Sequence, residues 1–211
     1  GNANLTQLFV GSNGTISFDT AFTDALNGSL PTFGAFTLIA PLWDGLHAWG
    51  NFGGSDGNVF WAVTGSSPDR ELVIEWRNVE KDDCLGTTVK FQVVFFEGSS
   101  KILFNYADTT FGTTLGGQDC SPANQGASAT VGVQLALGRA ELFSVDQADV
   151  ADGSALLWTV GGAVPFSIVS GGLFDLAAGA SQVLSVRFSP TAVGTVSATV
   201  DVESNGGNLS A

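Results

Sequence analysis

The side chains that most often perform catalysis are scarce in this chain. It has 211 residues, with one histidine, two cysteines and no methionine. The histidine, His47, lies among tryptophan and glycine residues, and no G-x-S-x-G motif accompanies it. The adjacent acids Asp82 and Asp83 are more typical of an exposed turn than of an acid–base pair. The pattern indicates no serine–histidine–aspartate triad, and we expect a protein that is not an enzyme.

Oxygen ligands for a metal are concentrated between residues 44 and 58. Asp44, Asp56 and Asn58, together with backbone carbonyls, could supply the roughly six to eight oxygen atoms that calcium takes. Their spacing matches no EF-hand or repeat-type calcium loop. Asp-Gly and Asn before strands also form turns without a metal. A turn is the preferred interpretation, calcium is the alternative, and we expect no other cofactor.

The same stretch is crowded with aromatic side chains. Trp43 and Trp61 lie in apolar strand contexts and are predicted to belong to the core. Trp49 is surrounded by glycine and polar residues, so we expect it to be exposed, with His47 and Phe52 near it. An exposed tryptophan can stack on a sugar ring or anchor a partner. His47, Trp49 and Phe52 are therefore the candidate ligand-binding residues.

The two cysteines lie in polar contexts rich in glycine and aspartate. Neither Cys84 nor Cys120 has a C-x-x-C neighbour or a nearby histidine, which argues against a zinc site. A disulfide between two loops is the preferred interpretation, with two free thiols as the alternative. Because disulfides persist in oxidising compartments, we expect an extracellular or cell-surface location.

Four N-x-S/T triplets are candidate glycosylation sites. They begin at Asn4, Asn13, Asn27 and Asn208. Asn13 and Asn27 are followed by glycine, and for these two residues turn formation is the preferred interpretation.

The charge balance excludes two classes of partner. Asp and Glu number 20 against 7 Lys and Arg, giving a formal net charge of −13. Nucleic-acid binding requires clustered basic residues, and anionic lipid attracts them, so neither partner is expected. No run of about 18 apolar residues occurs, so we expect no membrane insertion. With 44% hydrophobic residues, the chain can still bury a substantial core.

Strand signals run from end to end. Two short strands are predicted around Asn13-Gly14, and a long hairpin over 89–108, where apolar and polar residues alternate. Glu75 is expected on the outward face of an edge strand, with Arg77 on the same face as its partner. Further strands are predicted at 37–43, 58–63, 71–79, 129–136, 140–145 and 155–160. Short strands between glycine-rich turns are typical of an all-β, antiparallel β-sandwich.

An ordered series of motifs resembles a known family. The series is LFVGSNGTISFD, LIAPLWDGL, RELVIEWRNV, FQVVFFEGSSKILFNYAD and GASATVGVQ. Over about 10–158 it resembles the NIDO-like β domain of large secreted bacterial surface proteins and animal nidogen-type matrix proteins. The resemblance implies an extracellular, noncatalytic β domain, which we assign to residues 1–160.

A second resemblance covers about 165–205. The pattern L-x-x-G-x-S-x-x-x-x-V-R-F-S-P-T-x-x-G, from Leu176 to Gly194, resembles the C-terminal half of an ASPM/SPD-2/Hydin-type Ig-like domain. An Ig-type sandwich needs about 100 residues. Residues 163–211 supply 49, so we expect an incomplete Ig-like β unit. A fragment or a locally packed half-domain is the preferred interpretation; strands donated by another copy are the alternative.

These observations predict a noncatalytic extracellular structural or adhesive surface protein. Open β edges recruit further strands, so its partner is expected to be itself or another surface protein, and self-assembly into a filament follows from strand donation. The alternative is a carbohydrate-binding module that uses exposed aromatic residues.

Overall fold

The computed structural model describes residues 7–48, 58–114, 116–136 and 139–159, and the backbone of two strands at 166–170 and 185–188. The chain divides into two compact units, Gly1–Trp158 and Thr159–Ala211. The described elements are strands apart from a short 3-10 segment, Ser121–Gly126. Among these residues there is no helix long and apolar enough to cross a membrane. The predicted all-β class is confirmed.

The larger unit contains two antiparallel sheets. The first has the order β1 (Phe9–Gly11), β2 (Thr15–Ser17), β3 (Leu38–Trp43), β9 (Thr130–Ala136) and β10 (Arg139–Val145). The second has the order β11 (Ala155–Thr159), β8 (Lys101–Asp108), β7 (Cys84–Phe96) and β6 (Glu71–Lys81). The other side of β6 pairs with two strands, β4 (Leu46–His47) and β5 (Asn58–Thr64). In the smaller unit, β12 (Phe166–Ser170) pairs antiparallel with β13 (Ser185–Phe188).

The predicted hairpin over 89–108 is formed by β7 and β8. Phe91 and Val93 are fully buried, as are Phe104 and Tyr106 opposite them. Because side chains alternate between the two faces of a strand, this period-two pattern places one apolar face of the sheet against the core. The alternation read from the sequence therefore identified the buried face correctly.

The two sheets are joined by polar bridges as well as by apolar packing, and a further buried cluster joins Phe22 and Leu30 to Trp43 at the end of β3. Trp76 stacks on Phe91 with ring centroids 5.0 Å apart. The Trp76 indole Nε1 donates a hydrogen bond to the Gly11 carbonyl at 3.0 Å. The Tyr106 hydroxyl donates to the Pro41 carbonyl at 2.7 Å. Each bridge runs from the second sheet to the first and satisfies a buried polar group.

The turn between β1 and β2 requires a glycine. Gly14 has φ +74°, and a Cβ at this position would lie 2.0 Å from the Leu42 carbonyl oxygen. The β1–β2 pairing places Gly11 opposite Thr15. The hairpin predicted at Asn13-Gly14 is confirmed.

The predicted disulfide is also confirmed. Cys84 and Cys120 are bonded; their Cα atoms lie 5.9 Å apart, and the two residues are separated by 36 positions in the sequence. The bond fastens the first residue of β7 to the residue that precedes the 3-10 segment.

Replacing Tyr106 by phenylalanine removes the donor to Pro41. We expect the free energy of unfolding in urea to fall by about 1–3 kcal/mol near neutral pH. Burial raises the pKa of Tyr106 above its usual value of 10.0. The unfolded tyrosine therefore ionises first, and the hydroxyl's contribution is lost as the pH rises above about 10. A difference between wild type and Tyr106→Phe that stays constant up to about pH 11 would contradict this assignment.

Replacing both cysteines by alanine opens the covalent loop. For a loop of 36 positions, we expect the free energy of unfolding to fall by about 3–4 kcal/mol. Urea denaturation of Cys84→Ala/Cys120→Ala and of each single variant measures the loss. All three should unfold at lower urea than the wild type; equal midpoints would show that the bond does not constrain the native protein.

Candidate functional site

Strand β5 forms an open edge of the second sheet. It pairs with β6 along its whole length, from Asn58 opposite Arg77 to Thr64 opposite Glu71, without a register shift. On its other side, no strand in the described ranges pairs with it. An edge of this kind presents backbone N–H and C=O groups that can accept a further strand.

The sequence of β5 explains why it forms a strand and where it ends. Its residues, NVFWAVT, include β-branched and aromatic types that favour extended backbone. Gly65 then turns the chain with φ +77°, where a Cβ would lie 2.6 Å from the Asp69 carbonyl oxygen. Beyond the turn, the Arg70 guanidinium bonds the Glu97 carboxylate at 2.5 Å. This hydrogen bond lowers the pKa of Glu97 to about 2, so the pair stays charged under ordinary conditions.

The apolar face of the second sheet continues onto β5 and is exposed there. Trp61 lies opposite the buried residue Ile74, so both project from the face that carries the core. Trp61 is nevertheless 75% exposed, and Val63 on the same face is 54% exposed. The prediction that Trp61 belongs to the core was therefore wrong, whereas Trp43 is buried as predicted. An uncharged apolar strand is typical of a core; the exposure depends on what covers it.

On the opposite face, Arg77 of β6 contacts an aromatic ring of β5 and is paired with an acidic side chain. The Arg77 guanidinium lies 4.5 Å from the centroid of the Phe60 ring. Arg77 also donates to the Glu75 carboxylate, which accepts a further hydrogen bond from Gln92. Burial raises the pKa of Glu75, but these hydrogen bonds outweigh it and lower the pKa overall. The predicted Glu75–Arg77 pair is confirmed; its strand, however, is not an edge here, because β5 covers it.

β5 lacks the features that protect the other edges of the two sheets. β1 has three residues, β4 two and β11 five, so each offers a short edge. β10 has seven residues, but it carries Arg139 and Glu141 and is interrupted by two register shifts. β5 has seven residues with no charge, no proline and no shift. Short length, charge, proline and bulges discourage association at edges, so β5 is the described edge best suited to recruit a strand.

Of the predicted ligand-binding residues, the structure describes one. His47 Nε2 lies 2.5 Å from the Asp82 carboxylate, and both side chains are partly exposed. Trp49 and Phe52 lie outside the described residues. The predicted aromatic site therefore stays a prediction.

The structure describes two of the three predicted calcium ligands, Asp44 and Asn58, and the side-chain oxygens of both accept hydrogen bonds from other groups. The Asp44 carboxylate accepts hydrogen bonds from Gly45 N at 2.7 Å and from Ser128 Oγ at 2.6 Å, and lies 3.5 Å from Lys81 Nζ. Burial raises the pKa of Asp44. Asn58 Oδ1 accepts from the next backbone N–H at 2.7 Å. Asp56 lies outside the described residues, within which no cluster of three or more His, Cys, Asp or Glu could hold a metal.

Two of the four asparagines in N-x-S/T triplets are described. Asn13 is buried and its amide donates to the Thr23 carbonyl at 3.1 Å. The Asn27 amide donates to Asp146 at 2.9 Å. The side-chain amides of Asn13 and Asn27 thus each link two segments of the chain by a hydrogen bond. Asn4 and Asn208 lie outside the described residues.

Comparison with known proteins identifies the larger unit. Neither a curated protein nor a solved structure shows significant similarity to the chain. The Ig-like resemblance of 165–205 finds no support in these comparisons. The model of the family described as NIDO related matches residues 1–155. That match spans most of the 211 residues, and the chain belongs to the NIDO-related family.

Proposed function

We propose that the chain is a noncatalytic extracellular module with a structural or adhesive role, which associates through the open edge of β5. The observation that carries this proposal is a seven-residue uncharged edge strand on which Trp61 and Val63 are exposed. Main-chain hydrogen bonds would supply affinity to an added strand, and the alternating side chains would set its register.

The extracellular location is supported by two observations. The disulfide Cys84–Cys120 is of a kind that persists in oxidising compartments. The NIDO-related match supports the same location through the resemblance to secreted surface proteins. Within this proposal the two sheets form a β-sandwich, and residues 163–211 form an incomplete Ig-like unit.

A labelled peptide with the sequence of residues 58–64, flanked by serines, tests whether the edge accepts a strand. We expect fluorescence anisotropy to rise on titration with the full chain. Val63→Lys places a charge on the apolar face of β5 and should weaken binding by about tenfold or more. Leu157→Lys is the matched control, because Leu157 lies on edge strand β11 and is 58% exposed, close to the 54% of Val63.

The control should bind the peptide as the wild type does. A peptide carrying Ala62→Pro should not bind, because proline removes a backbone donor. Equal weakening by both lysine variants, or no binding by the wild type, would contradict a role for the β5 edge.

Carbohydrate binding is the second candidate function, and the exposed indole of Trp61 is the observation that favours it. Tryptophan emission during titration with a panel of soluble glycans tests it. A shift in the wild type that is lost in Trp61→Phe would support a glycan site on β5. A shift that survives in Trp61→Phe but is lost in Trp49→Phe would place the site at the residue predicted from sequence. No shift across the panel would contradict this function.

A further inference from the structure

The sequence of β5 specifies a partner strand. Resting on the proposed function above, we propose that the strand added to β5 is β5 of a second copy of this chain, running antiparallel about a twofold axis at Trp61. The two second sheets would then join edge to edge into one continuous sheet.

The register follows from the length and order of the seven residues. Centred on Trp61, the antiparallel pairing places Asn58 opposite Thr64, Val59 opposite Val63 and Phe60 opposite Ala62, so every residue of β5 has a partner. In a symmetric antiparallel pair the twofold axis must pass beside a residue that pairs with itself. Moving the axis from Trp61 to the next residue in either direction would leave two residues of each strand without a partner. The Trp61-centred register therefore forms the most main-chain hydrogen bonds.

The side chains on both faces suit this register. On the face that carries the core, the exposed Trp61 and Val63 would meet Trp61 and Val59 of the second copy, which buries apolar surface now in water. On the other face, the large ring of Phe60 would lie beside the small Ala62. A large side chain opposite a small one avoids a steric clash between neighbouring side chains on the two strands.

The symmetry of the contact, more than the charges next to β5, favours an antiparallel arrangement. On β6, Arg77 lies opposite Asn58 at one end and Glu71 lies opposite Thr64 at the other. Antiparallel pairing puts Arg77 of one copy and Glu71 of the second at the two ends of one row on the same face, three strand spacings or about 14 Å apart, so their attraction contributes little. A parallel contact between the two free β5 edges would instead turn the core face of one sheet to the opposite side of the joined sheet, so that Trp61 and Val63 of one copy could not meet the apolar face of the other.

The net charge of the chain predicts how this contact responds to salt. Two copies that each carry −13 repel one another, but β5 itself carries no charge. Salt screens the long-range repulsion, with a Debye length of about 8 Å at physiological ionic strength. We expect self-association of the full chain to strengthen between low and physiological salt, the reverse of a contact based on ion pairs.

Cysteine cross-linking of the full chain tests the register. Asn58 and Thr64 are exposed, so Asn58→Cys and Thr64→Cys should not disturb the fold. An equimolar mixture of the two single variants should form a disulfide-linked dimer under mild oxidation, because the two positions lie opposite each other. Each variant alone should not, because position 58 would lie about 20 Å from position 58 of the second copy, six residues away along the strand. Ser99→Cys, exposed in the turn after β7, replaces Thr64→Cys in the control mixture and should give no cross-link.

Sedimentation velocity of the wild type, at chain concentrations from micromolar to about 1 mM, gives an independent measure. We expect a monomer–dimer equilibrium that Val63→Lys weakens by about tenfold or more and Leu157→Lys leaves unchanged. A wild-type chain that stays monomeric up to about 1 mM, or cross-linking in each single variant as fast as in the mixture, would overturn the proposal. If the chain stays monomeric but binds the 58–64 peptide, the self-pairing is wrong and the proposed strand-accepting function stands. If the peptide does not bind either, both fail.

Discussion

The pairing of β6 on both of its sides is the constraint on which the rest of the larger unit depends. Over residues 71–76 β6 is bonded to β5 on one side and to β7 on the other, so its backbone groups are satisfied within the sheet. That pairing directs Ile74 and Trp76 into the core and turns Glu75 to the opposite face, beside Gln92 and Arg77. It also fixes which side chains of β5 continue the apolar face. The position of Trp61 is thus a consequence of how β6 is held.

Most strands could be predicted because their signals are local, and the disulfide because the chain has only two cysteines. The alternation in 89–108 and the Asn13-Gly14 turn each depend on neighbouring residues, and the structure confirms both. The start of β7 was missed: it begins at Cys84 rather than at 89. Its first residues, CLGTT, show no apolar alternation and include Gly86 at φ +86°; the disulfide and the pairing of Cys84 with Lys81, across a register shift, hold them against the end of β6.

The candidate site was less predictable, and the reason is physical. A strand such as NVFWAVT has the same composition whether it is covered on both faces or left at an edge. Burial is set by what packs on it, which depends on residues distant in sequence. Trp61 was therefore assigned to the core, and Trp49, with His47 and Phe52 near it, was predicted to be the exposed aromatic site. His47 lies beside the Asp82 carboxylate, a contact that its own glycine- and tryptophan-rich surroundings did not indicate.

The small size of the β5 edge has a consequence for where such a contact is useful. Seven residues without charge offer a short interface, which would bind weakly between molecules free in dilute solution. Copies held side by side on one surface or in one chain meet at effective concentrations of about millimolar. There, an interaction of about 4 kcal/mol is enough to keep half of the edges paired. An edge of this size would thus be mostly unpaired when copies are dilute and mostly paired when they are held together, with no change in the fold.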